Sequence, residues 1–141
     1  MSETVYEVPG LVTVSKDPAS RSILVRWGAD IYREDGAVRV ALEAALDCVR
    51  QHGLTNWVAD VSAVTSEMAT ADAQYAAGEF VDALGSVGLD VFVLVAAPSQ
   101  DSGASELEMW LEETHDRLNG RVEMFLATTL DQAHKLIVAR G

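Results

Sequence analysis

Cysteine, proline and long apolar runs are all scarce in this sequence. Cys48 is the only cysteine, which excludes an internal disulfide and a cysteine-rich zinc site. The longest apolar run, residues 91–97, falls far short of the roughly 20 residues that a membrane-spanning helix needs. The first ten residues lack a basic segment followed by an apolar one, so we expect no signal peptide, no membrane insertion and a cytoplasmic location.

Lysine and arginine are missing from the middle of the chain. None occurs between Gln51 and Asp116, and the twelve acidic residues of that acidic block match the net charge of −12. The other ten of the 22 acidic residues balance the ten Lys and Arg. Such a field repels phosphate backbones and anionic lipids, so we expect no nucleic-acid binding. It fits a basic or amphipathic protein partner, and also a surface that serves only solubility.

The length and the hydrophobic content fit one compact domain. The chain has 141 residues, 49% of them hydrophobic, which is enough to fill a core. No repeat or low-complexity linker divides the sequence. We therefore predict a single domain over residues 1–141.

Hydrophobic periodicity predicts alternating strands and helices. β-branched and apolar runs indicate strands, and apolar residues at helical spacing indicate helices. Asp35 is a candidate cap for the first helix, Gly53 and Asn119-Gly120 are stop signals, and Thr129 with Gln132 forms a capping box. The predicted strands cover residues 5–8, 11–16, 22–27, 56–61, 91–97 and 122–127, and the predicted helices cover about 33–52, 70–84, 103–118 and the residues after 129.

This order predicts an α/β fold. The first strands are joined by short turns and form an antiparallel hairpin, whereas the later strands are separated by helices and favour parallel pairing. We therefore predict a mixed sheet packed with about four helices, in which residues 91–97 form a central strand covered on both faces.

Three local patterns together resemble a known fold. Residues 25–28 (VRWG) end a predicted strand with a glycine ahead of the first long helix, residues 58–64 (VADVSAV) end a strand with Asp-x-Ser-x-Val, and residues 125–137 combine the last strand, the capping box and the last helix. They are similar to the strand-Gly entry, the Asp-Leu-Ser-x-Val strand and the closing strand and helix of the SpoIIAA-like fold, which STAS domains (the anti-sigma-factor antagonists) share with small bacterial STAS/SEC14-like proteins. Residues 67–71 (EMATA) depart from the phosphorylatable serine motif. The resemblance implies a non-catalytic regulatory or binding module without that phosphoserine.

No pattern of nucleophile, phosphate-binding or metal-binding residues is present. A Gly-x-Ser-x-Gly elbow is missing, and residues 85–88 (GSVG) follow a helix rather than a strand. The histidines His52, His115 and His134 lie on different predicted helices. We therefore predict no catalytic, cofactor-binding or metal-binding residues and no enzymatic activity, with an enzyme as the least favoured reading.

Polar residues follow two of the predicted parallel strands. Open α/β sheets bind ligands beyond the carboxyl ends of their strands, so these side chains are candidates for one interaction surface. The alternative is that they cap helices and hold turns. The candidates are Asp60, Ser62, Ser66, Thr70 and Ser99.

Two functions remain open at this point. The first is a protein-interaction domain that acts through the loop and helix after Asp60 and through the acidic face. The second is a small-molecule or lipid-binding module with an apolar pocket near Trp57, Tyr75, Phe80 and Trp110. The sequence also leaves open a homo-oligomer.

Overall fold

Six strands and four helices make up the part of the protein that the structure describes. The computed structural model describes residues 3–28, 36–62, 74–75, 78–96 and 102–140. The strands are β1 (Glu3–Val8), β2 (Val12–Asp17), β3 (Ser22–Trp27), β4 (Asn56–Asp60), β5 (Val91–Val95) and β6 (Glu123–Ala127). The helices are α1 (Ala37–His52), α2 (Glu79–Ser86), α3 (Ser102–Arg117) and α4 (Leu130–Arg140).

The strands form one sheet in chain order, from β1 at one edge to β6 at the other. β1, β2 and β3 pair antiparallel, and β3 to β6 pair parallel. The predicted α/β class, with an antiparallel start and parallel strands after it, is confirmed.

The strand order explains where the helices lie. Right-handed connections that always step in the same direction across a sheet leave their helices on the same face. Buried residues of α1, α2 and α3, among them Val49, Leu84 and Leu111, accordingly share one core with the first face of the sheet. Ala133 and Ile137 of α4 pack on the second face against Val58 and Val93.

β5 is the most deeply buried strand. All five of its residues are buried, because α2 and α3 lie over one face and α4 over the other. The prediction that this segment is a strand covered on both faces is confirmed. It lies next to β6 rather than in the middle of the sheet.

The helix ends follow glycine positions. Gly36 precedes α1 with a φ of 79°, and Gly53 ends it with a φ of 61° and an N–H bond to the Val49 carbonyl. The stop predicted at Gly53 is confirmed, whereas Asp35, the predicted cap, lies outside the described residues.

The helix predicted over residues 70–84 differs from the structure. Gln74 and Tyr75 are helical, but Gly78 has a ψ of −94° and α2 begins anew at Glu79. A glycine can adopt such backbone angles without a Cβ clash. The apolar spacing continues across the break, so periodicity does not reveal it.

The two edges of the sheet differ. β1 has a register irregularity between Thr4 and Tyr6, carries Glu3 and Glu7, and is followed by Pro9. These features discourage further strand pairing. β6 pairs with β5 in an unbroken register, and its sequence is EMFLA.

Across the parts of the chain described above, no helix combines the length and the apolarity that crossing a bilayer demands.

Candidate functional site

Asp60 lies at the carboxyl edge of the parallel strands. It is the last residue of β4 and lies opposite Val95, the last residue of β5. The ladder continues for one more bond, from the Val61 N–H to the Val95 carbonyl. Because parallel strands end at the same edge, the prediction that Asp60 and the end of β5 share this edge is confirmed.

The Asp60 carboxylate is buried and bound within its own turn. Only 8% of its side chain is exposed. Its Oδ1 accepts bonds from the Ser62 N–H at 3.0 Å and the Ser62 hydroxyl at 2.6 Å. An aspartate that binds the backbone two residues later forms an Asx turn. Asp60 therefore holds the chain as it leaves the sheet, and the exposed Ser62 is what this turn presents to solvent.

Arg26 is a neighbour of Asp60 that sequence reasoning missed. Its Nε lies 3.7 Å from Asp60 Oδ2, and 61% of its side chain is exposed. The parallel register places Arg26 of β3 directly opposite Asp60 of β4. Arg26 could have been identified as a neighbour of Asp60 only by aligning β3 with β4, because 34 positions separate the two residues along the chain.

The five predicted site residues are only partly visible in the structure. Asp60 and Ser62 are brought together, as described above. Ser66, Thr70 and Ser99 lie outside the described residues. The interaction surface proposed for all five therefore stays a prediction.

Arginines from outside the acidic block approach several of its carboxylates. Arg39 of α1 donates to Glu79 at 3.2 Å, and Arg117 at the end of α3 donates to Asp82 at 2.9 Å. Both carboxylates lie on α2, so α2 is linked to the helices on either side of it. These exposed pairs contribute little to stability, but they reduce the negative field around α2.

The outer face of α3 keeps its negative charge. Glu112, Glu113 and Asp116 follow Met109 at spacings of three, four and seven residues, so all four occupy one side of the helix. All are exposed, and Met109 is 57% exposed. Among the described residues, no Lys or Arg lies within ion-pair distance of these carboxylates, and only His115 approaches Asp116, at 3.9 Å. We call these four residues the α3 acidic face.

Five aromatic rings form a cluster between the sheet and the helices. Trp57 contacts Phe80 edge to face at 5.3 Å and stacks on Phe92 at 6.1 Å. Trp110 and Tyr75 each stack with Phe80 at 6.5 Å, and both are half-buried. Partial burial, helped by the charge of Glu43, raises the pKa of Tyr75.

One polar atom within the aromatic cluster has no partner. Trp57 is fully buried, and its Nε1–H has no hydrogen-bond acceptor among the described residues. A buried donor without an acceptor costs about 1–3 kcal/mol. Indole N–H groups usually find a partner when buried, so this donor marks a place where an acceptor would be stabilised.

A shallow groove lies on the second face of the sheet, between the β2–β3 hairpin and α4. It has a volume of about 240 Å³, with Leu24, Val58 and Ile137 among its apolar lining residues and Asp131 and His134 at α4.

Within the described ranges, no group of three His, Cys, Asp or Glu side chains is placed to hold a metal ion.

Cys48 is buried on α1. Burial raises the pKa of its thiol, which keeps it in the weakly nucleophilic protonated form. The thiol therefore has the surroundings of a structural cysteine.

Comparison with known proteins yields no relative: no family model, curated protein or solved structure matches this chain significantly.

Proposed function

We propose that this protein is a non-catalytic regulatory domain that binds a basic, amphipathic segment of another protein. The observation that carries the proposal is the α3 acidic face, where an exposed methionine is flanked by three carboxylates on one side of a helix. The proposal includes the resemblance to STAS-like domains, which implies a regulatory or binding module. It also includes the polar edge formed by Asp60 and Ser62 as a further part of the interaction surface.

The chemistry of the α3 acidic face suits such a partner. Methionine is flexible and polarisable, so it adapts to varied apolar side chains. Carboxylates around it attract Lys and Arg and speed the encounter. A basic amphipathic helix presents both features on adjacent sides. Because exposed charges are screened by salt, binding must weaken as ionic strength rises.

A model peptide tests the proposal. The probe is a labelled amphipathic helix of lysine and leucine, titrated by fluorescence anisotropy at low and high salt. A triple variant, Glu112→Gln, Glu113→Gln and Asp116→Asn, should raise the Kd by about 10-fold or more, since each lost charge pair is worth up to about 1 kcal/mol. Met109→Ser should weaken binding further.

A matched variant separates local from overall charge. Glu3→Gln, Glu7→Gln and Asp90→Asn also removes three exposed carboxylates, but from elsewhere on the surface. It should leave the Kd nearly unchanged. Equal losses in both triple variants would mean that the peptide senses only net charge, and the proposed site would be wrong.

A second candidate function is small-molecule binding at the aromatic cluster. The Trp57 Nε1–H, which has no acceptor within the described part of the chain, favours it, because a ligand with a carbonyl or carboxylate oxygen would satisfy this donor. Native mass spectrometry of protein purified from its own host tests this function. A bound mass that disappears in Trp57→Phe supports it, and bare protein contradicts it.

A further inference from the structure

We propose that β6 pairs antiparallel with β6 of a second copy of the chain. The two copies are related by a two-fold axis at Phe125, and the pairing joins their two sheets into one. The proposal does not rest on the function proposed above.

The backbone of β6 sets this register. The Glu123 N–H donates to Asp90, and the Ala127 carbonyl accepts from Ala96, so these residues face β5. N–H and C=O groups alternate in direction along a strand. Met124 and Leu126 therefore point their N–H and C=O groups away from β5, towards the edge at which no described strand pairs with β6.

The two-fold axis satisfies these groups reciprocally. With Phe125 on the axis, Met124 of one copy lies opposite Leu126 of the other, and such a pair exchanges both of its backbone hydrogen bonds. The side chains match as well. Met124 and Leu126 lie opposite Phe92 and Leu94 in the sheet and share the first face, so apolar side chains meet there. Phe125 meets its own copy on the second face.

The composition of this edge favours a second copy over solvent. Glu123 is the only charged residue between positions 122 and 130, and Leu126 is 40% exposed. In the proposed register Glu123 lies opposite Ala127, so no like charges face each other. Natural edge strands avoid pairing by means of charges, bulges or proline. β1 has two charges and a register irregularity and is followed by Pro9, whereas β6 has no bulge, no proline and one charge.

Electrostatics give the dimer a distinctive salt dependence. Glu112 and Asp116 line a groove together with Met124, so carboxylates of the two copies approach each other when the edges pair. Two chains with a net charge of −12 also repel overall. Salt should therefore strengthen the dimer, whereas it should weaken the binding of a basic peptide.

The first test is sedimentation velocity over a concentration series at low and high salt. The native chain should dimerise, and Leu126→Lys should raise the dimer Kd by about 100-fold or more, because two-fold symmetry counts each substitution twice. Val5→Lys is the matched control, since Val5 is 41% exposed on the opposite edge strand. A monomer at every concentration, or equal effects of both variants, would overturn the proposal.

The second test fixes the register and does not depend on Leu126. In a Cys48→Ala background, Phe125→Cys should form a disulfide with its own copy on mild oxidation, since Cα atoms in such a pair lie about 4.5 Å apart. Met124→Cys should not, because the axis keeps its two copies apart. Cross-linking through residue 124 instead of 125, or through neither, would refute this pairing and leave the edge to a foreign strand.

Discussion

The Asp60 turn gives the sharpest test of how the carboxyl edge is held. Two interactions involve this buried carboxylate: the bonds from Ser62 to Oδ1, and the ion pair between Arg26 and Oδ2. Substitutions of Asp60 and Arg26 separate them. Asp60→Ala removes both, Asp60→Asn keeps an oxygen for Ser62 but removes the charge, and Arg26→Gln removes only the ion pair.

The geometry sets the size of each effect. The hydroxyl bond at 2.6 Å is short and the N–H bond at 3.0 Å is of ordinary length. Each contributes about 1 kcal/mol net, since the exposed Ser62 binds water once they are lost. Arg26 is mostly exposed and its Nε is 3.7 Å away, so the ion pair contributes at most about 1 kcal/mol. Asp60→Ala should therefore cost about 2–3 kcal/mol, and the other two variants about 1 kcal/mol or less.

Urea denaturation of the three variants measures these differences as free energies of unfolding with a common slope. We expect Asp60→Ala to have a much lower free energy of unfolding than Asp60→Asn and Arg26→Gln, which should be similar to each other. If Asp60→Asn and Arg26→Gln both lose as much as Asp60→Ala, the ion pair rather than the turn holds this edge, and the reasoning fails.

Three further predictions concern stability and reactivity. A Cβ at Gly28 would overlap the Gly10 carbonyl and disturb the 2.6 Å bond from the Gly28 N–H to Leu11, so Gly28→Ala should cost about 3 kcal/mol. Gly36→Ala, which meets no atom but has a φ of 79°, should cost only about 1–2 kcal/mol in the same urea assay; equal losses would show that the contact at Gly28 costs no more than the backbone strain at Gly36. Thr129→Ala removes the bond to the Gln132 N–H and should cost about 1 kcal/mol by thermal denaturation, and no change would deny Thr129 its capping role. Burial raises the pKa of Cys48, so at about pH 8 it should react with a thiol reagent much more slowly in the native protein than in urea; equal rates would contradict its burial.

Local signals predicted most of the fold. Period-two and helical spacing located the described strands and three of the four described helices to within a few residues, whereas α2 begins only at Glu79, after Gly78. Gly53 and Asn119-Gly120 end α1 and α3 as expected. Of the two hydrogen bonds in the capping box predicted for α4, one is present and the other has a different partner. Thr129 accepts from the Gln132 N–H, but the Gln132 side chain accepts from the Thr128 N–H rather than from Thr129.

The site was less accessible to sequence reasoning because its contacts depend on strand register and helix packing. The Arg26–Asp60 pair appears only once β3 and β4 are aligned. The acidic block contains no Lys or Arg of its own, yet Arg39 reaches Glu79 from another helix, 40 positions away. The isolated Trp57 N–H depends on how five rings pack, which no local pattern encodes.

The agreement between strand order and chain order has a consequence for synthesis on the ribosome. Each strand after the first adds to a neighbour that has already been translated, so pairing never waits for a later segment. Each pairing closes an interval of one turn or one helical crossover, and the entropy cost of closing a loop grows only slowly with its length. The β1–β3 meander can assemble first, and each later strand then docks on the strand before it. The second face of β5, in contrast, stays uncovered until α4 has been synthesised, which leaves this apolar face exposed to other nascent chains in the interval.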